Sequence, residues 1–263
     1  MARLERRNVV MCYDGSLEGF LSLVFCAYAQ HVLPDAIAEQ SCVQPALGQT
    51  VLDTECDLTL AERVKVGICN HAGYGTYRNV ERAFLSCVPG RENALMEYIV
   101  RAMDGGRRAV ADPSNPNVAA VERMVLSVGN ELEDMYQFVR FQLLENGVYF
   151  SKINPKADLV GLMMGHFVER FNTQAFVIYD EVHHVAGVYD MRKSYLVRTD
   201  EITIPGNAAG DMEYQRLWKL FYDSVSNEQR FNPGLRRQNL PKRFWRNLTE
   251  MQLAVSSEAN ARA

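Results

Sequence analysis

The chain has 263 residues, enough for one large domain or two small ones around a sizeable core. Its apolar content of 48% is ordinary for a soluble protein, and its formal net charge is −4. That charge excludes a global pull toward nucleic acid or anionic lipid, so any such binding must come from a local patch.

Six cysteines, Cys12, Cys26, Cys42, Cys56, Cys69 and Cys87, all lie in the first third, none at C-x-x-C spacing. This pattern predicts reduced, mostly buried thiols in a cytoplasmic protein and no metal centre. The apolar run 19–33 is too short to span a bilayer and follows Asp14 and Glu18, which a secretory signal would avoid. It reads as a buried helix.

In chain order, residues 1–8 carry Arg3, Arg6 and Arg7 and form a basic lead-in. Residues 9–13 read as a short strand, Asp14-Gly15 as a turn, and Ser16 as the N-cap of a helix ending near Leu33-Pro34. Residues 35–58 are hard to read, with a short strand at 50–52. Thr59 caps a helix to about Asn70, and helices follow at 76–87, at 93–103 and, capped by Asn117, to about Met135. This helical middle third, 59–136, contains no repeat.

A sheet unit, 138–204, comes next. Val139, Phe141 and Leu143 alternate with Arg140, Gln142 and Leu144, Asn146-Gly147 supplies a hairpin turn, and residues 148–152 return. Asn154 and Pro155 read as N-cap and first residue of a helix with Leu159, Leu162, Met163, Phe167 and Phe171 on one side. Apolar runs at 176–179 and 185–189 complete a strand-strand-helix-strand-strand unit. The expected class is α+β, an antiparallel sheet packed against a helical layer in one domain, 1–254. Residues 194–204 can add a strand. Tyr214, Leu217, Trp218, Phe221 and Val225 sit at helical spacing, and Pro241 starts a short helix within the basic C-terminal segment 211–250. The tail, 255–263, reads as disordered.

Four places could carry chemistry. Asp14, Gly15 and Ser16 form a strand-turn-helix junction. It reads either as turn plus cap or as a ligand site, with backbone N–H groups on a phosphate or Asp14 on a ribose or metal-bound water. No G-x-G-x-x-G and no Walker lysine supports the second reading. His166 falls on a partly inward face, with Arg170 at i+4, and is a candidate acid or base or a plain core histidine. Asp180 closes a strand before His183-His184. It is a catalytic candidate or a turn residue, and two adjacent strand histidines would point apart and could not easily share a metal, an argument that weakens if they lie in a turn. Finally, Arg230, Arg236, Arg237, Lys242, Arg243 and Arg246 occur with no acid until Glu250. With Phe231, Phe244 and Trp245 interleaved, they are a candidate phosphate-contacting face or a solvated face whose aromatics dock on the core.

At these residues the chain resembles a bacterial family of DNA metabolism proteins, a domain without assigned function. The matching segments are YDGSLEGFL (13–21), AERV (61–64), VERM (121–124), FVRFQLLENGVYFSKINPKADL (138–159), HFVERF (166–171), IYD (178–180) and NPGLRRQNLPKRFWRNLTEM (232–251). They run in order along almost the whole chain. The resemblance implies a role in DNA modification or repair beside a radical S-adenosylmethionine enzyme, or fused to a uracil-DNA glycosylase. The chain ends before any glycosylase segment and lacks the C-x-x-x-C-x-x-C cluster motif. It is therefore expected to be the accessory partner, with S-adenosylmethionine and the iron–sulfur cluster on the other protein and no cofactor of its own. The family transfers no catalytic residues. The competing expectation is a nucleotide- or phosphate-binding enzyme at Asp14, Gly15 and Ser16.

Overall fold

The computed structural model describes residues 4–43, 45–199, 202, 206, 208, 211, 217, 240–248 and 251. Readings that fall elsewhere, including most of the helical spacing from Tyr214, the tail, and Arg230, Arg236 and Arg237, lie outside the described residues. The chain divides into two compact units, Met1–Gly129 and Asn130–Ala263.

The first unit is built on three parallel strands, β1 (Glu5–Tyr13), β2 (Val32–Glu39) and β3 (Thr50–Asp53), in the order β2-β1-β3. Residues 9–13 of β1 are all buried, as a central parallel strand covered on both faces must be, which explains their unbroken apolar run. Helix α1 (Leu17–Ala29) carries the chain from β1 to β2, followed after β3 by α2 (Leu58–Ala72), α3 (Tyr74–Phe84), α4 (Arg91–Ala109) and the start of α5 (Pro116–Phe138). The apolar core joins β1 and α1 to α2, α3, α4 and Val118, Val121 and Met124 of α5.

Local chemistry sets these boundaries. Ser16 caps α1, accepting from Gly19 N at 2.9 Å. Asp57, not Thr59, caps α2, its carboxylate accepting from Thr59 N and Leu60 N. Asn115, not Asn117, takes the N–H groups of Asn117 and Val118, with Pro116 as the first residue of α5. The helix expected to reach Pro34 ends at Ala29: His31 reverses the chain at φ 56° and β2 begins at Val32. Pro34 sits in β2, an edge strand, where a missing N–H is tolerated.

The second unit holds a five-stranded sheet, β4 (Gln142–Leu143), β5 (Tyr149–Ile153), β6 (Phe176–Asp180), β7 (Val185–Tyr189) and β8 (Ser194–Arg198), ordered as numbered. Helix α6 (Val160–Arg170) lies between β5 and β6 in sequence. The strand-strand-helix-strand-strand unit is as expected, but the antiparallel reading is corrected. The β5–β6 pair is parallel, the sheet is mixed, and the first unit's sheet is wholly parallel. The physical reason is the crossover: a helix between adjacent strands brings the chain back in the same direction.

Gly147, at φ 80°, turns β4 into β5. Gly187 of β7 lets α6 approach one face of the sheet, since a Cβ there would lie 2.7 Å from Val160 Cγ1 and also overlap Met164. The opposite face gathers Leu144, Phe150, Tyr179 and Ala186. Helix α6 starts at Val160 rather than Pro155, because Asn154 is engaged elsewhere and Glu131 takes the N–H groups of Lys156 and Ala157.

Candidate functional site

The loops after β1 and β3 meet at the carboxyl end of the parallel sheet. Cys12 O accepts from Thr54 N at 2.9 Å, and Ser22 Oγ bridges the backbone N–H and C=O of Asp57. Asp14, Gly15 and Ser16 lie here. Asp14 Oδ1 accepts from Ser16 N (2.9 Å) and Ser16 Oγ (2.6 Å), and Gly19 leaves room for that carboxylate. Gly15, at φ 85°, faces Glu39, whose Oε2 would lie 3.3 Å from an added Cβ. The turn-plus-cap reading is therefore realised in full.

Around it is a polar network. Tyr13 donates to Glu92 Oε1 at 3.1 Å, Arg91 Nε donates to the same oxygen at 2.9 Å, and Arg91 Nη2 lies 3.7 Å from Glu39. Burial, then the charge of Glu92, pushes the Tyr13 hydroxyl well above its ordinary value despite Arg91, so it stays a neutral donor. With Glu39 and Glu92 on Arg91, and Asp14 and Glu39 both beside Gly15–Gly19, this edge carries more acid than base and suits ligand hydroxyls better than bare phosphate.

In the second unit the C-terminal block forms a 3₁₀ turn, Lys242–Asn247. Phe244 and Leu248 are buried, as anchors should be, and Phe244 packs against Phe138 with centroids 5.5 Å apart. The cations divide. Arg243 Nη2 reaches Glu131 Oε1 at 2.7 Å, and that carboxylate is 8% exposed. Arg246 reaches Glu181 Oε1 at 3.2 Å but remains 68% exposed. Lys242 is exposed beside Trp245. Asn247 donates to Asn154 Oδ1 and Asn154 donates to Arg243 O, which fixes the turn to the strand end. Burial lifts the Asp134 carboxyl above its ordinary value, with Arg243 pulling it down and Glu131 pushing it up.

His166 is not half-buried as its spacing predicts. It lies on the exposed side of α6, stacked on Tyr136 with centroids 4.2 Å apart, and Arg170 is exposed as well. Asp180 is fully buried and is a turn residue: Oδ1 accepts from Val182 N and His183 N, and Oδ2 lies 2.6 Å from His183 Nδ1. The two histidines lie in the β6–β7 turn, not in a strand. His183 goes to Asp180 and His184 to Tyr179. The Asp-x-x-His spacing is the signal that alternation hides, since a tight turn brings i and i+3 together. Asp14 belongs to the first unit, and His166 and Asp180 to the second.

All six cysteines are unpaired. Cys12 is buried, but Cys42, Cys56 and Cys87 are exposed, against the expectation of mostly buried thiols. Among the described residues no cluster of three or more metal-binding side chains occurs, and no helix is long and apolar enough to cross a membrane.

Burial opposes charge on His183, but the hydrogen bond and charge of Asp180, the charge of Asp158 and a bond to the Lys156 backbone outweigh it, so the imidazole is held above its ordinary value. Its contribution to stability is complete below about pH 6.5 and is lost as pH rises through the raised folded value. Urea melts between about pH 6 and about pH 9 should show wild type losing more stability than His183→Gln. Parallel pH dependences of the two proteins would refute the assignment.

A search of curated proteins returns no match to the chain. A comparison with known families matches residues 89–250, more than half of the sequence, to a domain of unknown function. The match takes in α4, α5, the mixed sheet and the 3₁₀ turn, and the chain accordingly belongs to the DUF4130 family.

Proposed function

We propose that this protein is an accessory component of a DNA modification or repair system, contacting DNA through the basic C-terminal segment and acting with a radical S-adenosylmethionine enzyme. The observation that carries the reading is the anchored turn at Lys242–Asn247. Phe244, and Leu248 just after the turn, are buried, while Lys242 and Arg246 stay exposed. The resemblance of segments along the chain to DNA metabolism proteins supports the same reading, and Arg230, Arg236 and Arg237 would extend the cationic segment.

Burial decides which cations are available. In the Arg246–Glu181 pair the guanidinium is exposed while the carboxylate is mostly buried and also held by Lys152, so a phosphate can reach Arg246 from the solvent side without stranding Glu181. Arg243 serves Glu131 instead, and its removal would strand a nearly buried carboxylate. Titration of DNA against salt is the test. Lys242→Glu and Arg246→Glu should weaken binding across sequences and flatten the log–log salt slope by about 0.9 for each phosphate no longer neutralised. Arg243→Met should lower stability first. Absence of binding at low salt would end the reading.

A second reading is favoured by one observation. The junction of Asp14, Gly15 and Ser16 lies at the carboxyl end of the central strand of a parallel sheet ordered β2-β1-β3, where the loops after β1 and β3 meet. Open α/β sheets bind ligands at such points. On this reading the first unit takes a nucleoside or nucleotide with Asp14 on ribose hydroxyls. Calorimetric titration with nucleosides and nucleotides should show binding that Asp14→Ala abolishes. No heat at about millimolar ligand would dismiss it.

A further inference from the structure

Strand β8 (Ser194–Arg198) ends the five-stranded sheet and, among the described residues, pairs only with β7. All five of its residues are exposed, including Tyr195 at 47%, Leu196 at 58% and Val197 at 46%. Edge strands are ordinarily protected by brevity, a proline, a bulge or charged side chains, and here the charges, Arg192, Lys193 and Arg198, stand only at the two ends. Residues 194–198 contain no proline, and their pairing with β7 is regular.

The ladder fixes which backbone groups face outward. Thr199 N donates to His184 O at 2.9 Å and Asp190 N donates to Lys193 O at 3.2 Å. In the same register Tyr195 faces Val188 and Val197 faces Ala186. Antiparallel pairs alternate, so the odd-numbered residues bond to β7. The N–H and C=O groups of Ser194, Leu196 and Arg198 therefore point away from the sheet.

We propose that this edge pairs with the β8 of a second copy of the chain, antiparallel about a two-fold axis at Leu196, joining two sheets into one. The sequence of the strand is self-complementary in that register. Leu196 meets Leu196, Tyr195 meets Val197 on the opposite face, and Ser194 meets Arg198. The outward-facing backbone groups fall opposite one another, as a hydrogen-bonded pair requires. Aromatic and β-branched residues are favourable cross-strand partners, and no like charges stand opposed. A two-fold axis one residue earlier, at Tyr195, would instead set Arg192 against Arg198. Leu196 lies opposite Gly187 and beside α6, where a Cβ at Gly161 would be 3.4 Å from its Cδ1. The second Leu196 would thus cover a side chain that its own helix leaves half open. The contact is a single strand pair, so the dimer belongs to the weak, exchanging class.

Sedimentation velocity of the full chain from about 10 µM to about 1 mM tests this. Wild type should pass from monomer to dimer across that range. Leu196→Pro removes an N–H that β7 does not use, and Leu196→Lys places a charge at the two-fold axis. Each should weaken dimerisation at least about tenfold with an unchanged circular dichroism spectrum. If the proline variant unfolds, the lysine variant decides. A wild type that stays monomeric throughout, or a dimer kept by a folded variant, would overturn the proposal. DNA binding by monomeric protein is unaffected by either result.

Discussion

The carboxylate of Glu131 is the constraint on which the second unit depends. It is almost wholly buried, and it accepts from Lys156 N and Ala157 N at 3.0 Å each while holding the Arg243 guanidinium at 2.7 Å. One side chain thereby ties α5, the loop that enters α6 and the C-terminal 3₁₀ turn together. A buried charge is tolerated only when its lone pairs are satisfied and an opposite charge is at hand, and Glu131 has both. Each partner is specific: a shorter side chain would not reach, and a neutral one would leave the guanidinium unmatched.

That arrangement sorts the basic segment into two kinds of residue. Arg243 is structural, stacked over Phe244 at 4.4 Å and bonded inward. Lys242 and Arg246 stand on the rim of the same turn, and the carboxylate that Arg246 reaches, Glu181, is shared with Lys152. Glu181 follows Asp180, whose own carboxylate is spent on the turn and on His183. The hairpin end and the C-terminal turn are therefore linked electrostatically through Glu181. In the first unit the polar residues cluster at a different kind of place, the carboxyl edge of a parallel sheet, and there the acids outnumber Arg91.

Much of this is legible in the sequence where one local rule acts alone. Asp14-Gly15-Ser16 reads as turn and cap because each residue answers to backbone geometry. Strand β5 is buried on both faces, at Phe150 and at Ser151, and its alternation marks no solvent side, whereas the spacing of Leu159, Met163 and Phe167 reads correctly because one face of the helix is buried. Phe244 and Leu248 read as anchors for the same reason. Local rules fail where long-range partners override them. Asn154 looks like a cap, yet its side chain bonds Arg243 O and Asn247 across the unit. Val32–Glu39 looks like no strand, because Pro34 interrupts it and its pairing slips between Arg7 and Val10. The parallel β5–β6 pair is implied by the helix between the strands. The turn reading that the sequence leaves open for His183-His184 is the one realised, and what alternation hides is the pairing of His183 with Asp180 three residues earlier.

Hydrogen exchange on Glu131→Ala tests the central claim most directly. Losing this one carboxylate should deprotect the amides of Lys156 and Ala157 together with those of the 3₁₀ turn at 242–248, with β6 and β7 left protected. Deprotection confined to Lys156 and Ala157, with the turn exchanging as in wild type, would contradict the idea that Glu131 holds the C-terminal segment in place.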